Sequence, residues 1–130
     1  MRRLAADDTV LLRWFVDDGH PGVAAARALR RAYEAGELHL VVAAGWQTSL
    51  LDAVASRLDA DRLAAFAGAL GRIGLEVRTP QPARVARWMA RGLSAADATT
   101  AAVVDDGDLR LVTANPRLAS VAAPMVQRLA

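Results

Sequence analysis

Three polar residues stand where a parallel β-sheet would bring them together. Asp7 follows the short apolar run at residues 4–6 and precedes a segment with helical periodicity, and Asn115 lies between "RLVT" and Pro116. Asp97 falls in the first turn predicted for a third helix. In open α/β sheets, ligands bind where the chain leaves the carboxyl end of a strand and enters a helix. We therefore expect Asp7, Asp97 and Asn115 to converge on one edge of a sheet.

Each of these residues also has an ordinary structural interpretation. Aspartate and asparagine before a helix accept hydrogen bonds from the free amides of the first turn, so Asp7, Asp8 and Asn115 are all candidate N-caps. Ser94 and Asp97 have the S-x-x-D spacing of a capping box. Capping is the more common role for each residue taken singly. Only their joint occurrence favours a functional site.

The elements that would position these residues alternate between strand and helix patterns. Strand character is found at residues 4–6, 38–42, 75–80, 109–115 and 123–130. Helical patterns cover residues 9–16, 23–35, 46–58, 58–74 (capped by Asp59 or Asp61), 81–92, 93–107 and 116–122. This alternation predicts a three-layer α/β/α fold with a mainly parallel central sheet, formed by residues 1–130 as a single domain.

Composition excludes several classes of protein and site. The chain has 130 residues and 54% apolar content, which is enough for one hydrophobic core. No run approaches the roughly 20 apolar residues of a membrane span, and Asp7 and Asp8 interrupt any signal-peptide segment, so we expect a cytoplasmic protein without membrane association. The absence of cysteine excludes disulfides and thiolate ligands. Any metal would therefore be bound by oxygen or imidazole.

The basic residues are all arginine. There are 16 of them against 14 acids, which gives a formal net charge of +2. Arginine suits phosphate recognition, so nucleic acid is a permitted ligand, although genome composition also explains such a bias. Arg13 and Arg117 flank the predicted site and are either phosphate contacts or members of structural ion pairs. The lack of lysine excludes a Walker-type phosphate loop.

Three blocks of the sequence resemble, in type and order, the signature blocks of PIN-domain nucleases, among which the small VapC-type toxin ribonucleases are the most similar group. The blocks are "DDTVLLRWF", "LSAADATTAAVV" and "LRLVTANPRLA". The resemblance spans essentially the whole chain. The matching residues are Asp7, Asp8, Thr9 and Val10 in the first block, Leu93, Ser94, Asp97 and Ala98 in the second, and Leu111, Val112, Thr113 and Asn115 in the third.

The resemblance implies roles for individual residues. Asp7 and Asp97 match acids that hold Mg²⁺ or Mn²⁺, Thr9 matches a hydroxyl that hydrogen bonds within the site, and Asn115 matches a third acid often replaced by asparagine. A metal held by carboxylates activates water and stabilises the transition state of phosphodiester cleavage. The resemblance thus implies a metal-dependent endoribonuclease, the toxin of a toxin–antitoxin pair, with RNA as substrate, an antitoxin as partner and a homodimeric assembly.

The sequence departs from the family pattern in one block. The family has a glutamate in the helix after the second strand, and "AAGWQTSLLDAVASRL" contains none. That position falls on Ser49, Leu50 or Asp52, and Asp52 is the only acid available as a further metal ligand. The site is then degenerate. Two functions stay open: the ribonuclease, and a catalytically impaired PIN-fold protein that acts as a binding or scaffolding module.

A receiver-type signalling domain is a third alternative. An acid pair after the first strand also resembles the metal pocket of response regulators. That family needs a lysine near the end of its last strand, and this chain has no lysine. The receiver interpretation is therefore the poorest of the three.

Overall fold

A computed structural model describes residues 1–129 of the chain. Ala130, the end of the last predicted strand and of the predicted domain, lies outside the described residues. The strands are β1 (Arg2–Ala6), β2 (Leu38–Ala43), β3 (Glu76–Arg78), β4 (Arg110–Thr113) and β5 (Val126–Arg128). The helices are α1 (Asp8–Phe15), α2 (Val23–Glu34), α3 (Trp46–Val54), α4 (Ala60–Gly71), α5 (Pro82–Ala90), α6 (Ala95–Gly107) and α7 (Pro116–Val121), with a 3₁₀ turn at Ala123–Met125.

The five strands form one sheet in the order β3-β2-β1-β4-β5. Every neighbouring pair is parallel, and β1 lies at the centre, where Leu4 is aligned with Leu40 of β2 and with Arg110 of β4. Because the strands are parallel, their carboxyl ends all meet at one edge of the sheet. That edge is where the predicted site residues were expected.

Alternating strand residues divide the core between the two faces of the sheet. On β2, Leu40 and Val42 face the layer of α1 to α4, and they pack with residues such as Leu11 and Leu50. Val41 faces the opposite layer of α5 to α7 and packs with residues such as Ala101. This arrangement confirms the predicted three-layer α/β/α fold, and its sheet is entirely parallel.

One helix is shorter than its sequence pattern predicts. The pattern extends over residues 46–58, and α3 ends at Val54. Asp59 is the reason, since its backbone is extended and its carboxylate accepts a hydrogen bond from the amide of Arg62 at 2.8 Å as the N-cap of α4. A helix cannot run into a residue that holds this cap conformation. Among residues 1–129, no helix combines the length and the apolarity that a bilayer span requires.

The turn from β2 into α3 depends on a left-handed residue, Gly45, whose φ is 88°. We expect Gly45→Ala to lower the free energy of unfolding by about 1–2 kcal/mol, because an L-residue is strained in this conformation. A Cβ at this position would meet no atom within 4 Å, so the cost is one of backbone conformation alone. Urea denaturation measures it.

Gly68→Ala is the matched control for this prediction. Gly68 lies inside α4, and its added Cβ would come no closer than 3.9 Å to the Arg72 guanidinium. Alanine in a helix interior stabilises by about 0.5–1 kcal/mol relative to glycine. Equal responses of the two variants would contradict the strain assigned to Gly45.

Candidate functional site

A cleft opens at the carboxyl edge of the sheet, beside the ends of β1 and β2. Its volume is about 420 Å³, and the first turns of α1, α3 and α6 contribute to its walls. We call it the acidic cleft because three carboxylates line it. Its polar side chains are Asp7, Asp8, Thr48, Ser49, Asp97, Thr99 and Thr100.

Asp7 is the most buried of the three acids, with 4% of its surface exposed. Its Oδ1 accepts hydrogen bonds from the Thr9 amide at 3.1 Å, the Thr9 hydroxyl at 2.6 Å and the Val10 amide at 3.3 Å. Its Oδ2 accepts one from the Thr113 hydroxyl. Asp7 is therefore the N-cap of α1, as its sequence position indicated, and it also lines the cleft.

Two threonine hydroxyls join the ends of β1 and β4. Thr9 donates to Asp7 and accepts from the Ala114 amide at 2.9 Å. Thr113 donates to Asp7 and accepts from the Asn115 amide at 3.0 Å. Sequence reasoning matched Thr113 to the third block but assigned it no role. The available signal was a hydroxyl at the end of a strand, two residues before Asn115.

Asp97 and Asn115 come together through their side chains. The Asn115 Nδ2 donates to Asp97 Oδ2 at 3.1 Å, and Asn115 Oδ1 accepts from the amides of Arg117 and Leu118 at 3.0 and 3.3 Å. Asn115 is thus the N-cap of α7, as its position indicated. The Ser94 hydroxyl oxygen accepts from the Asp97 amide at 3.2 Å and caps α6. The carboxylate of Asp97 stays available to the cleft.

The helix that lacks the family glutamate presents a short side chain to the cleft. Ser49 lines it, Leu50 is fully buried in the core, and Asp52 is exposed and not among the cleft residues. Because α3 begins at the cleft, Asp52 lies about 4.5 Å further along the helix axis than Ser49. The structure therefore does not bring Asp52 to Asp7 and Asp97, in contrast to the predicted ligand set.

The electrostatics of the cleft are those of poorly compensated negative charge. Burial raises the pKa of Asp7 to about 6, against the hydrogen bonds from Thr113 and Thr9, which lower it. Burial also raises the pKa of Asp8, and the negative charge of Asp97 raises it further. Asp8 was considered in the sequence only as a cap, and it lies on the cleft wall close enough to Asp97 for the two to repel.

The two flanking arginines make contacts within the chain. Arg13 donates to the Thr9 carbonyl at 2.7 Å and pairs with Asp18 at 3.1 Å. Arg117 donates from Nε and Nη2 to the Gly92 carbonyl at 3.0 and 2.7 Å. These contacts favour the structural interpretation of both residues over phosphate binding. Within residues 1–129, no arginine lines the acidic cleft.

The chemistry of the cleft fits a small divalent cation. No three His, Asp or Glu side chains within residues 1–129 form a group that could hold a metal by themselves. Mg²⁺ in proteins is commonly bound through one or two carboxylates, with water and substrate phosphates at the remaining positions. Carboxylate and hydroxyl oxygens without an adjacent arginine match that requirement, and they match Mn²⁺ equally.

Comparison with solved structures gives the same architecture. PAE2754 from Pyrobaculum aerophilum has a TM-score of 0.66 at 18% identity, over 99% of this chain and 90% of that one. FitAcB from Neisseria gonorrhoeae has a TM-score of 0.66 at 17% identity, over 95% of each chain. This chain has a PIN-like fold. FitAB bound to the IR36 DNA fragment has a TM-score of 0.65 at 15% identity, over 96% of this chain and 94% of that one.

The likeness concerns the PIN-like fold alone. No protein-family model matches the sequence, and no curated protein sequence matches it either. Identities of 15–18% relate backbones and do not carry over a substrate or a partner. The acidic cleft of this PIN-like chain is therefore interpreted from its own residues.

The buried carboxyl of Asp7 predicts an unusual pH dependence of stability. Its pKa is about 6 when folded and 3.8 ordinarily, so the folded chain retains a proton that the unfolded chain releases. Stability is then lost as the pH rises from about 4 to about 7, by roughly 3 kcal/mol. Asp7→Asn keeps an acceptor oxygen without the charge, so we expect it to gain that amount on the wild type over this range.

Urea denaturation of both proteins in steps across this pH range measures the effect. Asp52→Asn removes a carboxylate that is exposed, and it serves as the control. A difference between Asp7→Asn and the wild type that stays constant with pH would contradict the buried, protonated state of Asp7.

The contact between Asn115 and Asp97 predicts the result of restoring the acid of the family pattern. We expect Asn115→Asp to destabilise the metal-free protein at neutral pH by about 1 kcal/mol or more, because it replaces a donor to Asp97 with a second negative charge. Asn115→Ser keeps an N-cap without adding charge, so it isolates this effect. Thermal unfolding of both variants provides the measurement, and equal stabilities would show that the two side chains do not touch.

Proposed function

We propose that the protein is a Mg²⁺- or Mn²⁺-dependent endoribonuclease, the toxin of a toxin–antitoxin pair. One observation carries the proposal: residues from all three signature-like blocks meet at the carboxyl edge of a PIN-like sheet. Asp7 and Thr9 come from the first block, Asp97 from the second, and Asn115 from the third. Blocks separated by some 90 residues of sequence would have no reason to meet if each served only as a local cap.

Each residue has a distinct task in this proposal. When bound, the metal supplies Lewis-acid chemistry, activating water and neutralising charge on the scissile phosphate. Asp97 and the acids at the end of β1 would hold it. Asn115 orients the Asp97 carboxylate through its amide, and Thr9 and Thr113 fix Asp7. A cleft without arginine leaves charge neutralisation at the phosphate to the cation.

RNA, an antitoxin and a second copy of the chain are the partners that we propose. FitAB, whose fold is similar, is known bound to a DNA fragment, so a PIN-like chain can be part of an assembly that contacts nucleic acid. For this chain the support is the resemblance of the three blocks to VapC-type toxins. We accordingly place its activity on RNA and assign DNA contact to a partner.

The test is cleavage of end-labelled RNA by the purified, partner-free protein in Mn²⁺, together with growth arrest on expression. We expect Asp97→Asn to reduce cleavage by about 100-fold or more and to abolish toxicity, because it removes the charge of a proposed metal ligand. Asp52→Asn removes an equal charge outside the cleft and should cleave like the wild type. Undiminished cleavage by Asp97→Asn would refute the proposal.

A PIN-fold binding or scaffolding module is the second candidate. The observation that favours it is the short side chain of Ser49 where the family has glutamate, together with the lack of a three-acid group within residues 1–129. This alternative predicts that the wild type binds RNA or a protein partner and does not cleave RNA at any concentration of Mn²⁺. The same assay decides between the two.

A further inference from the structure

We infer that Asp8 supplies a metal-facing carboxylate of the acidic cleft together with Asp97, while Asp7 is a positioning residue beneath them. The inference rests on the proposed function, since it assigns the ligands of the divalent cation proposed there. In the family pattern the position of Asp8 is variable and carries no role. In this chain it faces the same cleft as Asp97.

Asp7 has little capacity left for a cation. An ionised carboxylate offers about four acceptor sites, and the carboxylate of Asp7 already accepts four hydrogen bonds from Thr9, Val10 and Thr113. With 4% of its surface exposed, Asp7 would have to give up one of these bonds to bind a metal directly. Its contacts instead fix the start of α1, which is the element that presents Asp8.

Asp8 is in the opposite situation. It lies in the first turn of α1 and is partly exposed on the cleft wall. Asp97 is the charged neighbour that acts on its carboxylate, and no arginine of residues 1–129 lines the cleft to compensate either acid. A divalent cation between two such carboxylates would remove their repulsion and gain two hard ligands.

Asp97 is already oriented for this role. Its Oδ2 accepts from the Asn115 amide, and that contact leaves Oδ1 available to the cleft. An outer hydrogen bond of this kind is what usually orients a ligating side chain. Asn115 thereby holds the ligand in place, and its own oxygen is engaged in capping α7.

Asp8 also accounts for the departure on α3. Where a glutamate from that helix would bring negative charge to the cleft, this chain has Ser49. Asp8 brings an equal charge to the same cleft from α1. The number of cleft carboxylates is thus maintained by a residue on a different element, and Asp52 is not needed for it.

The decisive experiment is isothermal titration of Mn²⁺ into the purified protein without RNA. We expect Asp8→Asn and Asp97→Asn each to weaken Mn²⁺ binding by about tenfold or more, which is at least the effect of losing an outer-shell contact. Asp8→Glu retains a carboxylate and should restore most of the affinity. Asp7→Asn should weaken binding less than Asp8→Asn does.

Asp52→Asn is the matched control, because it removes one exposed carboxylate of the same chain away from the cleft. It should bind Mn²⁺ like the wild type, and circular dichroism verifies that each variant is folded. Wild-type affinity in Asp8→Asn, or no Mn²⁺ binding by the wild type at millimolar metal, would overturn the inference.

The RNA assay separates this inference from the proposed function. Mn²⁺ binding that requires Asp8, without any RNA cleavage, would support the inference and refute the nuclease. RNA cleavage with Mn²⁺ binding that persists in Asp8→Asn would support the nuclease and refute the role of Asp8.

Discussion

The arrangement of the cleft depends on one buried carboxylate. Asp7 accepts hydrogen bonds from the first turn of α1 and from Thr113 at the end of β4, so one side chain joins the central strand, a neighbouring strand and a helix. Burial raises its pKa, which means that the folded protein holds this charge at a cost near neutral pH. An asparagine would make similar contacts without that cost. Ionisable groups retained in such places are a common feature of functional sites.

From Asp7, a line of hydrogen bonds crosses the edge of the sheet. Thr113 donates to Asp7 and accepts from the amide of Asn115, and the side chain of Asn115 donates to Asp97. The acids of the first and second blocks are therefore connected through the third block. Each link is short and involves a buried or half-buried partner, so the relative positions of α1 and α6 are set by polar contacts as well as by packing.

Local features of the sequence predicted a large part of this arrangement. The alternation of strand and helix patterns gave the three layers, and the caps at Asp7, Ser94 and Asn115 lie where residue type and position placed them. The cap and site interpretations of Asp7 turned out to be compatible, because a helix that begins at the end of a parallel strand begins at the ligand-binding edge. Local chemistry and location in the fold coincide at these residues.

What the sequence did not predict depends on contacts between distant elements. The end of α3 is determined by the cap of the next helix at Asp59, and Asp52 is excluded from the cleft by the direction in which α3 leaves it. The contact between Thr113 and Asp7 requires the register of β4 against β1, in which Val112 is aligned with Ala6. The placement of Asp8 beside Asp97 requires the packing of two helices. None of these relations is encoded in a short stretch of residues.

The acids of the cleft are tolerated without arginine because of where the helices begin. Asp8 and Asp97 lie in the first turns of α1 and α6, and the N-terminus of α3 faces the same cleft. The amides at a helix N-terminus carry partial positive charge, which favours nearby carboxylates by about 0.3–1 kcal/mol each. Such stabilisation keeps the carboxylates ionised without occupying their oxygens as an arginine fork would. Helix N-termini thus allow negative charge to accumulate at this edge while leaving it free to bind a cation from solution.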